Sequence, residues 1–189
     1  MENNRVRLAN YSLFDDELIS TISDPTTQIE LFLAPSHVSV YYYDGQFFVY
    51  KIVHGENSKA RKFDDFHEAL ECGREMFHAM DESFNRSYHI VNDNLNNQGM
   101  ITYLKKYDLL KRLELVPVAG NVGVCFSGEK FMAYEFEKDG EVNYSQASSS
   151  FEEALRTARE RYAKKAPKQE THGYQYTKQS KNPSTKIGD

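Results

Sequence analysis

The chain has 189 residues, with 23 lysines and arginines against 28 aspartates and glutamates, for a net charge of −5. That length suits one compact domain or two small ones, and two cysteines exclude the dense disulfide framework of a small secreted domain. No apolar run approaches the roughly 18 residues that span a bilayer, and the opening MENNRVRLANYSLFDDEL lacks the apolar stretch of a secretion signal, so a cytoplasmic protein is expected.

Residues 1–34 form an N-terminal segment. Ser12-x-x-Asp15 reads as a capping signal for a short helix with Phe14, Leu18 and Ile22 on one side, Asp24-Pro25 stops it, and 29–33 fits a helix or a strand equally well. A first folded unit spans 35–84. Val38, Val40 and Tyr42 alternate with Ser39, Tyr41 and Tyr43, the period of a strand. Asp44-Gly45 then turns the chain, and Phe48, Tyr50 and Ile52 restart the inward alternation. A third strand is weakly signalled at 59–63. Asp64 or Asp65 caps a helix whose apolar face carries Phe66, Ala69, Leu70, Gly73, Met76, Phe77 and Met80.

A linker, 85–120, contains a polar loop at 92–97 and a predicted helix over 98–113 with Met100, Ile101, Leu104 and Tyr107 apolar. The second unit, 121–165, then repeats the first. Val122, Val124 and Phe126 lead to Ser127-Gly128, Met132, Tyr134 and Phe136 follow, Asp139-Gly140 turns again, and Val142 and Tyr144 mark a third strand. The serines at 148–150 cap a helix that opens Phe151-Glu-Glu-Ala-Leu155, against Phe66-His-Glu-Ala-Leu70 in the first unit. The offset is 83 at the glycines (Gly45, Gly128) and 85 at the helices.

The fold class predicted is α+β: two tandem β-β-(β)-α units with antiparallel sheet and helices on one face, plus the N-terminal and central helical segments. Each unit of about 45 residues is marginal alone, so the two pack together, as one continuous sheet or as two abutting lobes. The remainder, 166–189, is rich in Lys, Gln, Ser and Thr and reads as a disordered tail. From Lys164 onward six lysines face two acids, a net +4, which leaves −9 on residues 1–163.

Features shared by both copies are needed for folding, so functional candidates lie where the copies differ. The first helix carries His67, Glu71, Glu75 and His78 along one side, and its counterpart carries Glu152, Arg156, Glu160 and Ala163. Imidazoles and carboxylates at such spacing can hold a divalent metal, but no second Glu-x-x-His accompanies them, and a solvated helix face explains them more simply. They stand as weak candidates, and no cofactor is implied. On the sheet face away from the helices, Tyr41, Tyr43, Phe47 and Val49 are expected to point outward in the first copy, against Cys125, Ser127, Ala133, Glu135 and Glu137 in the second. The aromatics are either a contact surface or are covered by residues 1–34. Phosphate-loop, dinucleotide, serine-hydrolase and zinc-protease motifs are absent from the sequence. His89 with Asn92, Asp93 and Asn94 is better explained as a polar loop with a helix cap than as a nuclease cluster.

Over its whole length, rich in Asn, Lys, Tyr and Phe, without Trp, and with an acidic body of compact β-β-α units, the chain resembles small accessory proteins of phages and mobile elements from low-GC Gram-positive bacteria, of the anti-CRISPR or antirestriction type. The resemblance implies a non-enzymatic inhibitor that occupies a basic, nucleic-acid-handling surface of a partner such as a CRISPR effector. Tyr41, Tyr43, Phe47, Glu135 and Glu137 would form the contact. The alternatives are a nuclease or RNA-cleavage-promoting enzyme centred on the His67–His78 face, or a regulatory module of a mobile element. The basic tail could touch nucleic acid weakly.

Overall fold

The structure, a computed structural model, describes residues 5–53, 56–57 and 60–165. It is an α+β fold with two antiparallel sheets. The first contains β1 (Leu8–Ala9), β2 (His37–Tyr43), β3 (Gln46–Val53), β4 (Glu56–Asn57) and β5 (Arg61–Phe63), with β4 and β5 both on the far edge of β3. The second contains β6 (Ile90–Val91), β7 (Val122–Ser127), β8 (Lys130–Phe136) and β9 (Val142–Tyr144) in that order. Around them run α1 (Asp16–Ser20), α2 (Pro25–Gln28), α3 (Phe66–Glu82), α4 (Gln98–Lys106) and α5 (Phe151–Lys165). The sheets are separate, so of the two arrangements compatible with the sequence the abutting one is adopted. The tail, 166–189, lies outside the described residues.

The duplication is longer than the hairpin-helix units legible in the sequence, because the N-terminal and linker segments are themselves copies of each other. Val6 bridges Ile29 as Tyr88 bridges Leu113, both in parallel. Next, β1 leads into a 3₁₀ helix (Asn10–Phe14) as β6 leads into another (Asn92–Asn96). Asn10 and Asn92 both take φ of 52°, which Asn tolerates better than most residues. Their side-chain oxygens accept from the first core N–H of each hairpin, Val38 and Val122, both at 3.0 Å. Asp15 and Asn97 then cap α1 and α4 through Leu18 N–H and Met100 N–H. The helix predicted over 98–113 stops at Lys106, Asp108 turns to φ 55°, and a 3₁₀ turn (Leu110–Arg112) stands where α2 stands in the first copy.

Both hairpins close with a two-residue turn whose central residues are left-handed: Asp44 and Gly45 at 46° and 83°, Gly128 and Glu129 at 57° and 63°. The closing pairs Tyr43–Gln46 and Ser127–Lys130 set the offset at 84, so Gly45 corresponds to Glu129 and Gly128 to Asp44. The glycines occupy equivalent turns at adjacent positions.

α3 packs on β2 and β3, and α5 on β7 and β8, each with an apolar face against its sheet. One core runs through both copies. Its middle is aromatic: Tyr103 of α4 lies 5.0 Å from Phe14 and 5.1 Å from Phe77, ring centre to ring centre. α4 reaches the first copy's 3₁₀ helix because Gly99 is bare there; a Cβ would stand 2.1 Å from the Tyr11 carbonyl oxygen.

Gly99→Ala therefore destabilises the whole chain, by about 2 kcal/mol or more, since the obstacle is backbone and cannot rotate away. Gly45→Ala, with open space around it, costs about 1 kcal/mol from backbone strain alone, while Glu129→Gly gains about 0.5 kcal/mol once the extra freedom of the unfolded glycine is subtracted. Urea midpoints of the three variants check these signs. A lowered midpoint for Glu129→Gly would contradict a left-handed residue 129.

Candidate functional site

The two-residue turn decides which side chains face outward on the first sheet. With Tyr43 opposite Gln46, Tyr42 faces Phe47 and Val40 faces Val49, all on the helix side, while Tyr41 faces Phe48 and Ser39 faces Tyr50 on the other. Phe47 is 6% exposed and packs on Phe66 of α3 at 5.5 Å. This corrects the sequence expectation: Phe47 and Val49 belong to the core, and Phe48 and Tyr50 take their places on the outer face. Counting residues across a two-residue turn would have shown the parity, since paired residues share a face.

Half of that outer face is roofed by the first copy's N-terminal segment. The Tyr50 hydroxyl donates to the Phe32 carbonyl, and the buried His37 ring contacts the same carbonyl at 2.8 Å and lies edge-on to Phe32. The hairpin end stays open. There Tyr41 stacks on Phe48, centres 5.3 Å apart and 20° from parallel, and Tyr43, 67% exposed, meets the Phe48 ring at 6.5 Å. The Lys62 ammonium lies 5.4 Å from the centre of the same ring. Leu31 and Leu33 on the roof are also exposed. The alternatives of covering and contact surface thus divide the face: residues 30–36 cover the Tyr50 end and leave Tyr41, Tyr43 and Phe48 accessible.

The second copy is roofed in the same way, with the Val116 N–H donating to the Tyr134 hydroxyl at 2.9 Å. Its acidic candidates are not on that face. Glu135 pairs with Val122 on the helix side and holds Lys165 of α5 at 2.5 Å. Ala133 is likewise buried on the helix side. Glu137 sits in the turn beyond β8, where its N–H donates to the Glu141 carbonyl. Tyr41, Tyr43, Glu135 and Glu137 therefore do not form one surface: they belong to separate sheets, and Glu135 is on the opposite face of its own.

The His67–His78 stripe is divided. His67 and Glu75 are exposed. Glu71 binds Lys106 of α4 at 3.2 Å and Arg74 at 3.6 Å; burial raises its carboxyl pKa, but these two cations outweigh it and hold the pKa below the usual range. His78 stacks flat on Tyr107, centres 3.5 Å apart, and its Nδ1 lies 3.2 Å from the Tyr103 hydroxyl. The neighbouring helix thus presents an ammonium and phenols to the stripe, not carboxylates. Among the described residues no three histidine, cysteine or acidic side chains gather as a metal would require.

His78 leads into a buried network that the sequence did not reveal. Asp81, fully buried, accepts from the Tyr88 hydroxyl at 2.5 Å and the Tyr103 hydroxyl at 2.7 Å on one oxygen, and from the Arg86 guanidinium on the other. Arg112 covers Tyr88 at 5.3 Å and donates to the Arg86 carbonyl at 2.5 Å. Other polar candidates also serve the fold. His89 contacts the Glu114 carbonyl, and Asp93 accepts from the Tyr162 hydroxyl at 2.7 Å. Both thiols are buried, and burial pushes that of Cys125 up.

Comparison of the chain with protein-family models, curated proteins and solved structures finds no match.

Burial, and then the Asp81 charge, push Tyr11 up to about 12; burial, then the hydrogen bond each donates to Asp81, then the Asp81 charge push Tyr88 and Tyr103 well above the ordinary tyrosine value. The native state therefore keeps protons that the unfolded chain releases near pH 10. The stabilisation is complete below that value and is lost as pH rises beyond it. An ultraviolet titration should show a late-ionising group of tyrosines, Tyr11, Tyr88 and Tyr103 among them, that ionises only as the fold is lost. Asp81→Ala, which leaves two buried hydroxyls without their acceptor while the half-exposed Arg86 can turn to water, lowers stability by about 2–4 kcal/mol, measurable by urea denaturation.

Proposed function

We propose that this protein is a non-enzymatic binding protein that inhibits a bacterial defence system of the CRISPR type by occupying a basic, nucleic-acid-handling surface of its effector. The observation that carries this reading is the open aromatic end of the first sheet, where Tyr41, Tyr43 and Phe48 lie together with Tyr43 67% exposed. Exposed aromatics clustered beside a polar rim are characteristic of protein contacts, because they bury much area at little entropic cost. The acidic balance of residues 1–163, 17 cationic against 26 anionic side chains, repels bare nucleic acid and steers the body toward positive surfaces. The His37 ring and the Nδ1 atoms of His78 and His89 contact backbone or core partners, which gives these histidines a part in the fold.

The test is a titration of the purified chain into a CRISPR effector nuclease from a low-GC Gram-positive bacterium, with cleavage of target DNA as the readout. Cleavage is suppressed by the wild-type chain, and Tyr43→Ala weakens the suppression at least tenfold, the size of loss an interface tyrosine gives. Added salt slows the onset of inhibition. Unchanged inhibition by Tyr43→Ala would remove the aromatic end from the contact. Tight binding of bare RNA or DNA at physiological salt would count against the reading itself.

A further inference from the structure

The outer face of the second sheet holds a groove of about 610 Å³ between the roof segment and the hairpin, lined by Glu114, Leu115, Cys125, Ser127, Met132 and Tyr144 among others. The 84-residue offset set by the hairpin register shows what the groove lacks. Cys125 and Met132 stand where the first copy has Tyr41 and Phe48, and Ser127 stands where it has Tyr43. In the first copy two stacked rings fill this space. In the second, two slimmer sulfur-bearing side chains leave it open. The remaining walls suit a ring: Cys125 and Met132 offer polarisable sulfur, which contacts aromatic edges favourably, and Tyr144 offers an edge-to-face neighbour.

We infer that the groove is filled by the chain's own C-terminal segment, which lays a tyrosine of the Tyr174-Gln175-Tyr176 run against Cys125 and Met132. Two observations choose this occupant. Lys165, the last described residue, is held at the second sheet by Glu135. Tyr174 is nine positions further on, an extended reach of about 30 Å, and the chain has only the edge strand β9, about 5 Å from β8, to pass on its way from the helix side to the outer face. Charge favours the same contact, since residues from Lys164 onward carry +4 against −9 on the rest, and Glu114 stands in the groove wall. The site is distinct from the aromatic end of the first sheet, and it stands whether or not that end binds an effector.

The experiment uses the full chain. With methionine methyl groups labelled, the Met132 resonance (identified by Met132→Leu) shows contacts to tyrosine ring protons, beyond those of Tyr144 in the groove wall, that vanish in Tyr174→Ala/Tyr176→Ala, while those of Met76, Met80 and Met100 are unmoved. In parallel, alkylation of Cys125, followed by peptide mass mapping, accelerates about tenfold in the double variant, the factor expected when a contact worth about 1.4 kcal/mol is lost. Identical Met132 contacts and Cys125 rates in both proteins would overturn the proposal. So would protection of Cys125 that fades on dilution of the wild-type chain, since the tyrosine would then come from a second copy.

Discussion

The fold depends on a single buried carboxylate. Asp81 ends α3 of the first copy, at the helix end where the backbone dipole already disfavours negative charge. The last turn of that helix has no basic residue to offset it. Compensation comes from beyond the helix: Arg86 follows a few residues on, Tyr88 begins the second copy, and Tyr103 lies on α4. One oxygen pair thus joins the end of one repeat to two elements of the next. Such a pair adds little net stability over a well-packed apolar substitute, but breaking it is costly. Its contribution is geometric, since the donors it gathers come from the end of one repeat and from two elements of the next. The aromatic cluster of Phe14, Phe77 and Tyr103 and the close approach at Gly99 belong to the same junction.

Duplication explains the architecture, and differences between the copies explain the surfaces. Each repeat uses the segment before its hairpin as a roof over the outer sheet face, tied down through the hydroxyl of Tyr50 or Tyr134. An antiparallel sheet with a helix on one side would otherwise leave its other side wet. The roof covers only the end far from the turn. What remains visible at the turn end is therefore set by three or four side chains: stacked rings in the first copy, and thiol, thioether and hydroxyl in the second. The same backbone thus presents a filled aromatic surface on one repeat and a groove on the other.

Several of the polar residues that suggest chemistry take part in this construction. Asn92 and Asn10 align hairpins. Glu71 and His78 bind across to α4, and Glu135 clamps the end of α5.

The sequence by itself determined the hairpins, the helices α3 and α5, their turns and their duplication. Alternation, Asp-Gly signals and helical spacing are local properties, and hydrophobic burial enforces them twice. It also contained, unread, the parity of Phe47 and Phe48, which depends only on turn length. Tertiary structure alone decided the rest. The likeness of 6–34 to 88–120 is carried by backbone conformation and by a few residues, Asn10 with Asn92 and Leu13 with Leu95, too sparse to register as a pattern. Asp81 looks like any polar residue near a helix end until Tyr88, Tyr103 and Arg86 converge on it. The side Glu135 takes follows from turn length as it does for Phe47, but nothing local says that the C-terminal turn of α5 brings Lys165 over it. What comes to lie above each face of a sheet is set by long-range packing, and local periodicity carries no record of that.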